Sequence, residues 1–404
     1  MNDMSRYLFA IVLAMAVLFG WQIIFPPEQR EIVNNEINVE QDIAQLNIST
    51  DEIQNYSEPC QEDRILILSN KITGSINLCG AKIDEIFLKD FKTSTKEESD
   101  YVQFFNPKEN DNAFWVESGW KAPKNIRYNL PGNDTLWTLE EGQTLTPDTP
   151  VVISWNNDNG LIFKQKISID ENYVFNIKQE IINNSPGSIT VFPFQQLSRK
   201  EAPDGQALGL LHEGPTGYFD EELEEIDYDD IEDNDFRSEF KEGWVGIRDK
   251  YWATAITSLD KDNKRAIFKT STDAFDKFYR IGYIGDLTGA SSGESVSSVS
   301  LAFVGAKEVK IIQEYSDNNS FNRLDLIIDW GWFYFLAKPL FYILDILFSF
   351  SGNFGVAILL LTILIKVVFF PVVNRSYVQM AKMRKVQPEI TKLRELYGDD
   401  RQKM

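Results

Sequence analysis

Histidine is nearly missing from this chain: His212 is the only one in 404 residues, and cysteine occurs twice, at Cys60 and Cys79. A lone imidazole excludes HExxH zinc sites and paired-histidine metal centres, and two such separated cysteines make no CxxC pair. No GxxxxGK phosphate loop is present either. Positive charge is also short, with 40 Lys and Arg against 61 Asp and Glu and a net charge of −21. DNA as a partner requires a basic face, which this balance argues against. The chain therefore reads as a non-enzyme without cofactor or metal. A paired-carboxylate glycosidase, which leaves no local motif, is the one enzyme reading that stays open.

What is present is apolar residue in two different textures. Tyr7 to Phe25 is nineteen residues without a charge, preceded by Arg6 and followed by Pro26-Pro27. It is a signal peptide or an uncleaved signal anchor. Cutting after Ala14-Met15-Ala16 would strand Val17 to Phe25 on the mature protein, so residues 1–27 are taken as an anchor. Residues 28–60 are polar, acidic and without period, which predicts a disordered tether.

From 61 to about 320 short runs of Val, Ile, Thr, Phe, Tyr and Trp alternate with Gly, Pro, Asn and Asp clusters, so this part is expected to be an all-β antiparallel sandwich. Val151 to Trp155 and Leu161 to Ile169 read as a hairpin around Asn156 to Gly160. Tyr173 to Ile182 and Ile189 to Leu197 read as a second, around Asn183 to Gly187. If Ser69-Asn70 turns a third hairpin, paired residue numbers sum to 139 and Cys60 directly opposes Cys79. A disulfide is then expected, with free buried thiols as the alternative. Asp220 to Asp235 holds eleven carboxylates in sixteen residues with no Lys or Arg. No glycine stands at calcium-loop spacing, so a solvated mobile loop is expected rather than a cation site.

The C-terminal quarter changes character. Phe354 to Val373 is twenty residues with one charge, Lys366, long enough to cross a hydrocarbon core of about 30 Å. Thr362 precedes Lys366 by four, so both project from one helix face, with Leu359 a turn back. A membrane-embedded cation is a functional-site candidate by default, although its long stem could instead snorkel to the nearer surface. Residues 374–404 are basic and place that end in the cytoplasm. Met380, Met383, Val386, Ile390, Leu393 and Tyr397 recur at coiled-coil spacing, which requires a partner helix, and Gly398-Asp399-Asp400 closes the segment. Trp330 to Phe350 is apolar but interrupted by Lys338-Pro339 and Asp345. A second crossing would leave the basic tail outside, so residues 321–353 are expected to include an amphipathic helix on the outer membrane surface. Charge agrees, at −26 over Pro26 to Trp330 and +4 over Pro371 to Met404.

The run from Thr362 to Asp400 (TILIKVVFFPVVNRSYVQMAKMRKVQPEITKLRELYGDD) resembles the second transmembrane helix and first cytoplasmic hairpin helix of the YidC/Oxa/Alb membrane protein insertases, most closely the bacterial YidC branch. It shares the intramembrane cation, the following proline, Ala381 to Arg384, Gln387-Pro388 and Gly398-Asp399-Asp400. Ser154-Trp155 with Gly160-Leu161, Ser168 to Asp170, Gly243 to Val245 and Tyr251 to Ala255 extend the likeness more weakly. The resemblance implies a periplasmic β-supersandwich, transmembrane α-helices and a cytoplasmic amphipathic helix. It implies an insertase of the bacterial inner membrane, N-terminus cytoplasmic, serving nascent membrane proteins with the Sec translocon, ribosome and lipid bilayer as partners. Lys366 and Thr362 would line a hydrated substrate groove; Lys382, Arg384, Lys385, Lys392 and Arg394 would form the cytoplasmic contact helix. The family's cation is usually Arg, so bidentate contacts do not carry over to Lys366. Of the family's later groove helices and second hairpin helix this sequence has none, so by the resemblance it is either a fragment of a longer protein or a chain that forms no groove alone. The alternative function is a membrane-tethered periplasmic binding or scaffold domain without insertion activity.

Overall fold

The computed structural model describes residues 63–202, 211–273, 276–318, 321–331 and 333–397, with side chains to Lys392 in the last helix. The expected anchor and tether, and Cys60, lie outside the described residues.

In chain order the strands are β1 (Arg64–Leu68), β2 (Ile72–Asn77), β3 (Lys82–Lys92), β4 (Tyr101–Phe105), β5 (Phe114–Lys121), β6 (Thr138–Glu141), β7 (Thr144–Leu145), β8 (Val151–Asn156), β9 (Leu161–Ile169) and β10 (Val174–Asn183). They continue as β11 (Ile189–Arg199), β12 (Gly214–Phe219), β13 (Glu222–Glu225), β14 (Phe236–Phe240), β15 (Gly243–Arg248), β16 (Trp252–Ser258), β17 (Lys264–Asp273), β18 (Asp276–Ile284), β19 (Thr288–Ala290) and β20 (Ser295–Ala306). The helices are α1 (Tyr228–Asp233), α2 (Val309–Asp317), α3 (Tyr334–Ser351) and α4 (Phe354–Tyr397).

Two sheets share one apolar core. The first runs β14-β17-β18-β11-β5-β3-β2-β1-β7, with β19 on β11 and β4 on β3; the second runs β13-β12-β15-β16-β20-β10-β9-β8-β6. Pairing is antiparallel except between β1 and β7. Period-two alternation explains the layering: β9 sends Leu161, Phe163, Gln165, Ile167 and Ile169 inward. The one polar member, Gln165, donates its amide to the Ser118 carbonyl at 3.0 Å, so its burial leaves the amide satisfied.

The β8–β9 hairpin forms as its sequence predicts, with Asn157 Oδ1 accepting from the Asn159 and Leu161 amides across the turn. The expected hairpin of β10 with β11 does not form. Strand β10 has β9 and β20 on its two sides, and β11 joins the other sheet between β5 and β18. Asn183 sets this crossing, donating to Gly187 O at 2.7 Å and Ala290 O at 3.0 Å. The β1–β2 hairpin also differs, since Leu68 pairs with Thr73 and Arg64 with Asn77, giving paired numbers that sum to 141 rather than 139. The loop is longer than expected, closed by Ser69 N–H to Ile72 O, and Cys79 bridges instead to Leu136. Direct opposition of Cys60 and Cys79 therefore does not follow from this ladder.

The acidic stretch is folded, a third correction. It forms β13 and α1, and docks through Ile226, Tyr228 and Ile231, each at most 5% exposed. Its acids are partly matched, Glu225 by Arg248 at 2.5 Å and Glu232 by Lys277 at 2.5 Å. Mutual repulsion is outweighed because the apolar residues between the carboxylates share one buried side.

Candidate functional site

Among the described residues, helices α3 and α4 carry most of the exposed large apolar side chains. Helix α3 buries none of its residues, and Phe335, Ile346 and Phe350 are 65%, 67% and 86% exposed. Such a surface belongs in lipid or against another protein. Among the described residues these are the two helices long and apolar enough to cross a membrane.

Gly352 ends α3 in the left-handed region at φ 63°, its N–H returning to Phe348 O at 2.8 Å, which is the glycine stop a helix carbonyl end favours. Asn353 then starts α4, accepting from the Val356 amide at 3.2 Å through its side chain. Along α4, Ala357 is fully buried and Leu361 and Ile365 are half-buried, which marks the face that packs on α3.

Lys366 lies nine residues past Ala357, roughly 180° around the helix, and Thr362 about 140°. Both are exposed, pointing away from α3. The Thr362 hydroxyl donates to Ile358 O and Leu359 O, both at 2.8 Å, so it is satisfied within the helix and offers its lone pairs outward. Lys366 has Val367, Phe369 and Phe370 for neighbours, all more than half exposed. The helix thus presents an ammonium and a hydroxyl on an apolar face that no other described residue covers.

Helix α4 continues past Val373, joining the apolar span and the basic segment in one element. It runs 44 residues unbroken through Pro371 and Pro388, about 66 Å long. Each proline forgoes one backbone hydrogen bond without ending the helix. Met383, Val386 and Ile390 are 66%, 45% and 44% exposed and form one apolar stripe. Lys385 and Lys392 stand roughly 140° from it. Lys382 and Arg384 are exposed as well, and the side chain of Arg394 lies outside the described residues. The structure thus groups Thr362 with Lys366, and places the basic set well along the same helix from them.

The sequence reading excludes a G-x-S-x-G elbow, and this needs correction, because the spacing itself is present. Gly289-Ala290-Ser291-Ser292-Gly293 spells the G-x-S-x-G of a nucleophile elbow. It occupies a strand-to-strand turn between β19 and β20 instead of a strand-to-helix elbow, and the Ser291 amide donates to Glu294. No group of three His, Cys, Asp or Glu able to hold a metal occurs among the described residues.

A β-sandwich joined to a pair of exposed apolar helices, one of them continuing as a basic amphipathic helix, defines a membrane protein with a large extramembrane domain. Residues 64–343 match the YidC periplasmic domain, and residues 346–404 match the 60Kd inner membrane protein family. The membrane protein insertase YidC of Rickettsia bellii is 35% identical over 412 residues, spanning 100% of this chain and 73% of its own length. That of Rickettsia canadensis is 34% identical over 413 residues, with the same coverage. The chain belongs to the YidC membrane protein insertase family. Among solved structures, the galactose mutarotase related enzyme of Lactobacillus acidophilus is similar at 11% identity and TM-score 0.42, covering 60% of this chain and 97% of that one. A likeness so faint carries no activity with it.

Proposed function

We propose that this chain is a membrane protein insertase and chaperone of the inner membrane, acting without covalent chemistry on nascent membrane proteins, alone or with the Sec translocon. The observation that carries this reading is the face of α4 that bears Thr362 and Lys366 directly away from α3. An arriving apolar segment must bring polar or acidic flanks through lipid, where each charged residue costs roughly 2.5 to 3.5 kcal/mol on insertion scales. An ammonium fixed on that face lowers the cost by attraction, and the Thr362 oxygen accepts a further hydrogen bond. A plain tether for a periplasmic scaffold needs neither group.

In this reading the β-domain is periplasmic, α3 lies along the outer surface, and the first part of α4 crosses inward. Its basic continuation, with Lys382, Arg384, Lys385, Lys392 and Arg394, meets ribosome or substrate in the cytoplasm, in keeping with the positive-inside bias.

The test is complementation in cells depleted of their own insertase. Lys366→Ala is expected to lower insertion of clients with acidic flanks by about tenfold or more, the factor for some 1.4 kcal/mol of lost attraction, while Lys366→Arg retains most of it. Equal rescue by Lys366→Ala at equal abundance would overturn the role given to Lys366.

A further inference from the structure

A cleft of about 1000 Å³ opens at the end of the β-domain where the chain leaves for α3. Its walls bring together Phe91, Leu211, Trp252 and Ile328 from four separate segments, and Asp329 in its lining is five residues before α3 begins. Phe91 and Trp252 meet edge to face at 5.0 Å, giving a rigid apolar side.

Lys307 lines the cleft beside them. Its backbone amide is held by Tyr251 O, but among the described residues no carboxylate lies within ion-pair distance of its ammonium. Burial, reinforced by repulsion from nearby Arg248, lowers its pKa to about 8. Arg248 lies behind the lining, 1% exposed and paired through one Nη with Glu225 at 2.5 Å. A half-buried ammonium lining the cleft without a carboxylate at ion-pair distance is the arrangement that a phosphate would complete.

The wall carboxylates are mostly committed. Glu308 and Asp90 share Lys71, Glu308 also accepts from Tyr173, and Asp329 accepts from the amides of His212 and Gly331. Glu213 and Glu97 remain, beside aromatic faces, as partners for an ammonium. The rim offers Tyr251 and Leu211, 60% and 46% exposed, with the Lys250 ammonium over the Tyr251 ring at 5.2 Å. Exposed aromatic and lysine together are characteristic of a membrane interface. The domain is also tied to α3 here, through Lys310 and Asp345 at 3.0 Å and through the rings of Trp330 and Phe341.

We infer that this cleft receives a phospholipid headgroup carrying phosphate and ammonium, of the phosphoethanolamine kind, with the phosphate at Lys307, the ammonium toward Glu213, and the acyl chains leaving past Tyr251 and Leu211. The inference rests on the reading that α3 lies on the outer membrane surface.

The experiment uses the full chain, pulse-labelled with an amine-reactive ester and read at Lys307 by peptide mass spectrometry. In nanodiscs of phosphatidylethanolamine with phosphatidylglycerol, labelling of Lys307 is expected to fall about tenfold relative to lipid-free detergent, as occupancy near ten times Kd gives. Nanodiscs of phosphatidylglycerol alone should protect severalfold less, and Glu213→Gln should erase that difference. Native mass spectrometry should find one fewer retained lipid on Lys307→Gln than on Lys307→Arg, which guards against misfolding as the cause. Equal labelling with and without lipid overturns the proposal. So does equal protection by phosphatidylglycerol, protection by inorganic phosphate alone, or protection seen only when a client polypeptide is added. If Lys366→Ala abolishes insertion while Lys307 labels freely in nanodiscs, the insertase reading stands and this one falls.

Discussion

At the scale of single residues, two lysines hold opposite situations. Lys366 is exposed on an apolar helix face, whereas Lys307 is half-buried in a cleft of the β-domain. Because burial and Arg248 lower the Lys307 pKa to about 8 from its ordinary 10.5, the unfolded chain binds the extra proton between those values. Stability should therefore rise with pH across that window as the buried charge is discharged. Relative to Lys307→Met, the wild type is expected to gain at most about 1.4 kcal/mol per pH unit between pH 8 and 10.5, measured by parallel thermal unfolding in detergent. A flat difference between the two would contradict the buried-ammonium account. Lys366 stands out in the sequence as a candidate because an isolated charge interrupts a long apolar run. Lys307 was not, since its surroundings come from strands and loops hundreds of residues apart.

At the scale of elements, the acidic stretch shows how composition can mislead. Eleven carboxylates dominate the count over Asp220 to Asp235, yet the sparse Ile226, Tyr228 and Ile231 decide the structure by docking on the core. Ile231→Ala is expected to cost roughly 2 to 4 kcal/mol, as truncation of a buried aliphatic does. Denaturant unfolding checks this; a loss under about 0.5 kcal/mol, the ordinary surface range, would restore the loose-loop reading. The β8–β9 hairpin was readable because its alternation and its Asn-rich turn agree. The β10–β11 pairing was misread because local turn residues look alike whether the chain folds back within a sheet or crosses to the facing one, and Asn183 bonds to distant Ala290 to choose. Likewise the β1–β2 register shifted by two because a short turn and a longer loop share the same Ser69-Asn70 start.

At the scale of the whole molecule, an acidic sandwich, an exposed aromatic-rich helix and a long helix that turns from apolar to basic divide the chain into parts of different surface chemistry. That division was visible from charge and hydropathy alone. The orientation of the Thr362–Lys366 face relative to α3 required the structure, because helix periodicity tells which residues share a face but not what that face meets. The account turns on that orientation. Its most direct test is site-specific photocrosslinking during insertion of a nascent membrane protein, with the probe placed in turn at Leu359, Thr362, Lys366, Ala357 and Leu361. The account predicts client crosslinks from Leu359, Thr362 and Lys366 and few from Ala357 or Leu361, which face α3. Crosslinks of equal yield from both faces, or none from the Lys366 face, would contradict it.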